Sequence, residues 1–138
     1  MAAFNKFNAF VENVAEKVHN LGADTLKVML VNTAPVATNA VKADLTDITA
    51  GNGYTAGGTA VTITASSQTS GTYSLVGNDV VFTASGAVGP FRYAVLYNDT
   101  PTSPADPLIG WWDYGSSISL ANGETFTVDF GASILTLA

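Results

Sequence analysis

The residue types that carry out enzymatic chemistry are few and isolated in this chain. His19 is the only histidine, whereas a serine-based catalytic triad needs a histidine held beside both a serine and an acid. Nothing around His19 in the sequence indicates such support, so we interpret it either as a solvated residue or as a residue that acts at the end of a helix. The chain contains no cysteine, which excludes a disulfide framework, a thiolate metal site and a cysteine nucleophile.

Aromatic residues beside an acid form the most suggestive cluster. Asp113 is flanked by Trp111, Trp112 and Tyr114, and sugar faces stack on aromatic rings. Along a strand, however, Trp111 falls on one face and Trp112 and Tyr114 fall on the other. We therefore favour a core and interface role for these rings, with a carbohydrate-binding module for host attachment as an alternative.

The remaining motifs are incomplete matches to known sites. Residues 51–58 are rich in glycine but lack the Gly-Lys-Ser/Thr ending of a phosphate-binding loop. Asp44 and Asp47 are close in sequence, as paired carboxylates of a glycosidase could be, and residues 99–106 hold too few oxygen ligands for a calcium loop. Residues 98–100 match a glycosylation sequon without a secretion signal. We expect no enzymatic activity, no cofactor and no metal.

The composition narrows the class of partner. Charged residues make up 12% of the 138 residues, the net charge is −6, and the five basic residues are scattered singly. A nucleic-acid or anionic-membrane binder needs clustered Lys and Arg, so we expect neither partner. No apolar run is long enough to span a membrane, and the missing cysteines suit a protein that matures in a reducing cytoplasm.

The apolar pattern predicts one domain, residues 1–138, with a helix over 1–22 and a β-sandwich over 23–138. Apolar residues at alternating steps of three and four form one seam along the predicted helix, and Gly22 is the predicted end of that helix. The residues of the seam are Phe4, Phe7, Val11, Val14, Val18 and Leu21. Residues 91–97, apolar on both faces apart from Arg92, predict a central strand. Hairpin turns are predicted at residues 77–78 and at Asn122-Gly123. About seven or eight short strands predict a mainly β fold, an antiparallel sandwich or a jelly-roll-like barrel.

Several segments resemble small virion structural proteins of tailed bacteriophages. They are GPFRYAVLYNDT at 89–100, LIGWWDYG at 108–115, NGETFT at 122–127, TLKVMLVNTAP at 25–35, GYTAGG at 53–58 and FNKF at 4–7. The resemblance covers nearly the whole chain. It implies a component of the phage particle, made in the host bacterial cytoplasm, and it supplies no catalytic or ligand residues.

Within a virion, the small acidic β domain favours a capsid decoration or cement protein, with a tail or neck component as the alternative. The expected partners are the major capsid protein or other virion proteins, together with further copies of the chain, and threefold sites on shells suggest a trimer. The expected interface residues are Phe4, Phe7, Phe10, Val14, Trp112 and Tyr114. The helical seam either covers the domain's own sheet or packs on a neighbouring copy or on the shell.

Overall fold

The computed structural model describes residues 2–138, within which antiparallel strands dominate and one α-helix lies near the N terminus. The elements are β1 Asn5–Lys6, α1 Asn8–Ala15, β2 Leu26–Val31, β3 Thr59–Ala60, β4 Ile63–Thr69, β5 Thr72–Gly77, β6 Val80–Thr83, β7 Val88–Asn98, β8 Leu108–Leu120, β9 Thr125–Val128 and β10 Leu135–Leu137. The predicted mainly β, antiparallel fold is confirmed, with ten strands in the described chain where seven or eight were expected.

The strands form three sheets. The largest has the order β1-β8-β7-β2-β3, the second has the order β10-β5-β4, and β6 pairs with β9. β7 lies at the centre of the five-stranded sheet, between β8 and β2. From Tyr93 to Asn98 every residue of β7 is buried, as expected for a strand that is apolar on both faces.

Hydrophobic cores lie on both faces of the five-stranded sheet. The larger core fills the space between this sheet and the two smaller sheets, which gives the fold its sandwich-like layers. The smaller core covers the opposite face and consists of Phe7, Met29, Val31, Tyr93, Val95, Tyr97 and Leu108, with Leu45 and Trp111 packed against it. The central strands β2 and β7 are therefore shielded from water on both sides.

The helix is much shorter than the predicted range 1–22, of which Met1 lies outside the described residues. Asn5 and Lys6 pair with Trp111 and Gly110 of β8, so their main-chain groups are satisfied by a sheet edge and not by a helix. At the other end, Lys17 adopts a left-handed conformation with φ 65°. Val18 donates to the Asn13 carbonyl, and Lys17 donates to the Val14 carbonyl, which is the Schellman arrangement that ends a helix.

Both predicted hairpins are wrong, because the strands on either side of each predicted turn do not pair with each other. Asn122-Gly123 follows β8, but β9 then pairs with β6 in another sheet. Likewise residues 77–78 separate β5 from β6, and these two strands belong to different sheets. The tight hairpin joins β4 to β5 through Ser70 and Gly71, whose φ angles of 51° and 84° suit a type I′ turn.

Candidate interaction surface

Half of the predicted interface residues lie in the chain's own core. Phe7 is 0% exposed, Phe10 is 1% exposed and Trp112 is 6% exposed. Phe10 and Trp112 belong to the larger core and Phe7 to the smaller one. These three side chains stabilise the fold, which corrects their assignment to an interface.

Phe4 and Val14 are half-buried and also face the domain itself. The Phe4 ring lies 5.4 Å from the Trp112 ring, and both Phe4 and Val14 pack against the larger core. The N-terminal seam therefore covers the domain's own sheet, the first of the two alternatives considered for it. On the outward side of α1, Val11 is 51% exposed.

Tyr114 is the one predicted interface residue with a mostly exposed side chain, at 56%. It borders a groove of about 250 Å³ whose other lining residues are Ala2, Ala94, Trp112, Phe126, Thr127, Val128 and Asp129. The Tyr114 and Phe126 rings are 5.5 Å apart at an interplanar angle of 67°. Edge-to-face rings of this kind pack well on each other but do not form the flat platform on which a sugar stacks. The groove does not favour the carbohydrate-binding alternative.

Asp113 forms a bidentate ion pair with Arg92. The guanidinium donates from Nε to Oδ1 at 2.8 Å and from Nη2 to Oδ2 at 3.0 Å, and the Gly115 N–H also donates to Oδ1. The hydrogen bond from Arg92, followed by that from Gly115, lowers the pKa of Asp113. A carboxylate held in its charged form is a poor general acid, so we interpret Asp113 as a link between β7 and β8.

Asp47 anchors the glycine-rich loop to the five-stranded sheet. Its carboxylate accepts from the Tyr54 hydroxyl and from the Gly57 N–H, and the same hydroxyl accepts from the Leu30 N–H of β2 at 3.0 Å. Burial, with the hydrogen bond to Asp47 second, raises the pKa of Tyr54, which keeps the hydroxyl proton in place. Residues 51–58 are therefore fixed by their own polar contacts.

Asp44 has separate partners of its own. Its Oδ2 accepts from the Ala40 N–H at 2.8 Å and from the Val41 N–H at 3.2 Å, and these hydrogen bonds lower the pKa of Asp44. It caps the 3-10 turn Lys42–Asp44. Asp44 and Asp47 thus each bind main-chain groups of the fold and do not act as a carboxylate pair.

His19 is buried, at 8% exposure, which corrects its assignment as a solvated residue. Its Nδ1 lies 3.0 Å from the Asn98 amide nitrogen, which also donates to Asp24 at 2.7 Å. The Thr100 N–H donates to the amide oxygen of Asn98, so the nitrogen of that amide faces the ring and Nδ1 is an acceptor. In a catalytic triad the corresponding nitrogen donates to a carboxylate. Here the hydrogen bonds connect the segment that follows α1 to β7.

The same site contains a buried polar atom without a partner and the asparagine of the sequon. The Nε2 of His19 carries the ring proton and is buried without a hydrogen-bond partner, and burial lowers the pKa of His19, with Asp24 opposing that change. Asn98 is 0% exposed. The predicted sequon therefore offers no accessible acceptor nitrogen in the folded chain.

The free edge of β4 is a surface that the sequence analysis missed. β4 pairs with β5 on one side, and residues 64–69 are all exposed. The chain carries no charged residue from Ile48 to Asn78. That uncharged run is the sequence signal that could have indicated this surface. The sequence does not predict a strand over residues 64–69, because they lack the apolar alternation by which a half-buried strand is recognised.

Neither a protein-family model nor a characterised protein nor a solved structure matches this chain. Over residues 2–138, no helix is long and apolar enough to cross a membrane. The described chain brings together no group of three or more His, Cys, Asp or Glu side chains that could hold a metal ion.

Proposed function

We propose that this chain is a structural protein of a tailed-bacteriophage virion, and that it decorates the outside of the capsid in many copies. The proposed role is non-enzymatic and uses no cofactor. It is supported by the resemblance of segments throughout the chain to phage virion proteins, above all residues 89–100 and 108–115. The partners are the major capsid protein and further copies of this chain.

The observation that carries the proposal is that residues 48–78 carry no charge although most of them are exposed. The exposed residues of this segment are Thr, Ser, Ala, Asn, Gln and Gly. The centres of protein interfaces are depleted in charged residues, because a charge buried without a partner loses its hydration at high cost. A neutral surface that can still form hydrogen bonds suits contact with neighbouring proteins.

Repetition supplies the binding strength that one such contact lacks. When a lattice holds several contacts at once, each further contact forms at high effective concentration and the avidity exceeds that of any single contact. A decoration protein seated over junctions between capsid subunits would act in this way. A trimer remains our expectation for copies at threefold sites.

Cryo-electron microscopy of the native virion tests the proposal. We expect density for the ten-stranded domain on the outer capsid surface, with residues 48–78 or the Tyr114 groove at the contacts. Particles from a phage that lacks the gene for this chain are the matched control, and they should lose that density and rupture at a lower temperature. Density in rings along the tail or at the neck would replace decoration by the tail alternative, and absence from the particle would overturn both.

A further inference from the structure

Edges of β-sheets expose unpaired main-chain N–H and C=O groups, and proteins usually protect them by short strands, charged side chains, prolines or bulges. In the described chain, the edge strands β1, β3 and β10 have two or three residues each. β6 and β9 have four residues and are flanked by Asp79, Glu124 and Asp129. β8 extends past β1, but its register with β7 shifts between Phe91 and Tyr93, as at a bulge.

β4 is the exception among these edges. It has seven residues, Ile63–Thr69, without a charged residue or a proline. Its one irregularity lies between Ile63 and Ala65, and residues 65–69 then pair with β5 in unbroken register. Five regular residues with a free edge form a template on which another strand can pair.

The lack of charge indicates that the partner is a second copy of the chain. In a two-fold symmetric contact each residue near the axis meets its own counterpart, so any charge there meets a like charge. A chain of net charge −6 would repel itself at most other edges. The segment that contains β4 is the longest run without a charged residue, so self-contact there brings no like charges together.

The hairpin geometry sets the register of such a contact. A two-residue turn at Ser70 and Gly71 makes Thr69 and Thr72 a hydrogen-bonded pair, and the pairs then alternate along the ladder. The main-chain groups of Ser66 and Gln68 are therefore directed away from β5 towards the free edge. The centre of the regular segment 65–69 is Ser67.

We propose that β4 pairs antiparallel with β4 of a second copy about a two-fold axis at Ser67, which joins two three-stranded sheets into one sheet of six strands. Ser66 of one copy then exchanges main-chain hydrogen bonds with Gln68 of the other, and the two Ser67 side chains face each other. This contact does not depend on the virion role.

One such strand pair buries less than the roughly 1,000 Å² that a stable interface needs, so the free dimer is weak and is best detected by covalent trapping. The chain has no cysteine, and directly opposed Cβ atoms of paired strands lie about 4.5–5.5 Å apart, close to the range that a disulfide accepts. Purified full-length Ser67→Cys should therefore form a disulfide-linked dimer under mild oxidation. The matched control is Val81→Cys on β6, where the native side chain is 51% exposed.

We expect Ser67→Cys to cross-link at least about tenfold faster than Val81→Cys, because pairing raises the effective concentration of the opposed thiols. A second pair of variants tests the main-chain contact within the Ser67→Cys background. Ser66→Ala keeps the outward N–H and should preserve rapid cross-linking, whereas Ser66→Pro removes it and should reduce the rate to that of Val81→Cys. Circular dichroism establishes that each variant is folded.

Two results would overturn the proposal. Equal cross-linking rates for Ser67→Cys and Val81→Cys would mean that β4 has no preference for its own copy. Equal rates for folded Ser66→Pro and Ser66→Ala would mean that the contact does not run through the main chain. Neither result bears on whether the chain occupies the capsid, which the reconstruction of the virion decides separately.

Discussion

Lowering the pH from 7 to 5 should destabilise this protein through its single histidine. In the folded chain the His19 Nδ1 accepts from the Asn98 amide, and a proton on Nδ1 would oppose that amide and place a charge in a buried site. Burial accordingly lowers the pKa of His19 below 6.5, with the Asp24 carboxylate opposing that change. In the unfolded chain the imidazole titrates near 6.5.

The direction and the limit of the effect follow from proton linkage. At pH 7 the ring is mostly neutral in both states, so the stabilisation that depends on neutral His19 is present in full. Below about 6.5 the unfolded state binds a proton that the folded state does not yet bind. The free energy of unfolding then falls with decreasing pH until the folded ring also titrates, at no more than about 1.4 kcal/mol per pH unit for one proton.

Urea unfolding at pH 7, 6 and 5, followed by the fluorescence of Trp111 and Trp112, measures this loss. His19→Asn is the control, because its side-chain oxygen can lie near the position of Nδ1 and accept from Asn98 without titrating. Carboxylates such as Asp106, whose pKa is raised by burial first and by Asp99 next, contribute equally to both proteins. The unfolding free energy of the wild type minus that of His19→Asn should decrease as the pH falls. A value that stays constant or increases would refute the reasoning.

Three substitutions test other parts of the fold by urea unfolding at pH 7. Lys17→Gly should stabilise the protein by about 0.5–1 kcal/mol, because glycine adopts the left-handed conformation at the helix end without the Cβ conflict of lysine; a loss of stability would contradict the Schellman assignment. Tyr54→Phe should cost about 2–4 kcal/mol, since the Asp47 carboxylate and the Leu30 N–H lose a buried partner, and a cost near zero would show that the loop does not depend on this network. Phe10→Ala should cost about 3–5 kcal/mol through the cavity it leaves, whereas an interface role for Phe10 predicts almost no change in the isolated chain.

The sequence predicts best those features that depend on local burial. Residues 91–97 are apolar on both faces apart from Arg92, and β7 lies at the centre of the largest sheet with cores above and below it. Trp112 and Tyr114 were expected on one face of a strand, and both line the same groove. Their different exposure was not predictable, because the rings of Phe4 and Phe130 that cover Trp112 come from distant parts of the chain.

The wrong predictions, the long helix and the two hairpins, concern segments whose structure depends on contacts with residues far away in the sequence. Phe4 and Phe7 fit a helical spacing, but the two residues between them pair with β8. Gly110 of β8 has no side chain, and the Phe4 ring occupies the space that a Cβ would need there. Asn122-Gly123 forms a turn, as its residue types require. Turn chemistry fixes the backbone at those two residues and does not determine which sheet the next strand joins.

The order of strands in the five-stranded sheet also bears on how the molecule is made. β2 pairs with the two-residue strand β3 and, along its whole length, with β7, and β1 pairs with β8. Most of the ladders of β1 and β2 can therefore close only after residues 88–98 and 110–111 have been synthesised. Pairings between such remote segments slow folding, because loop closure is completed before the contacts stabilise it. The nascent chain therefore carries the apolar strand Leu26–Val31 with no partner strand longer than two residues until residues 88–98 have been synthesised.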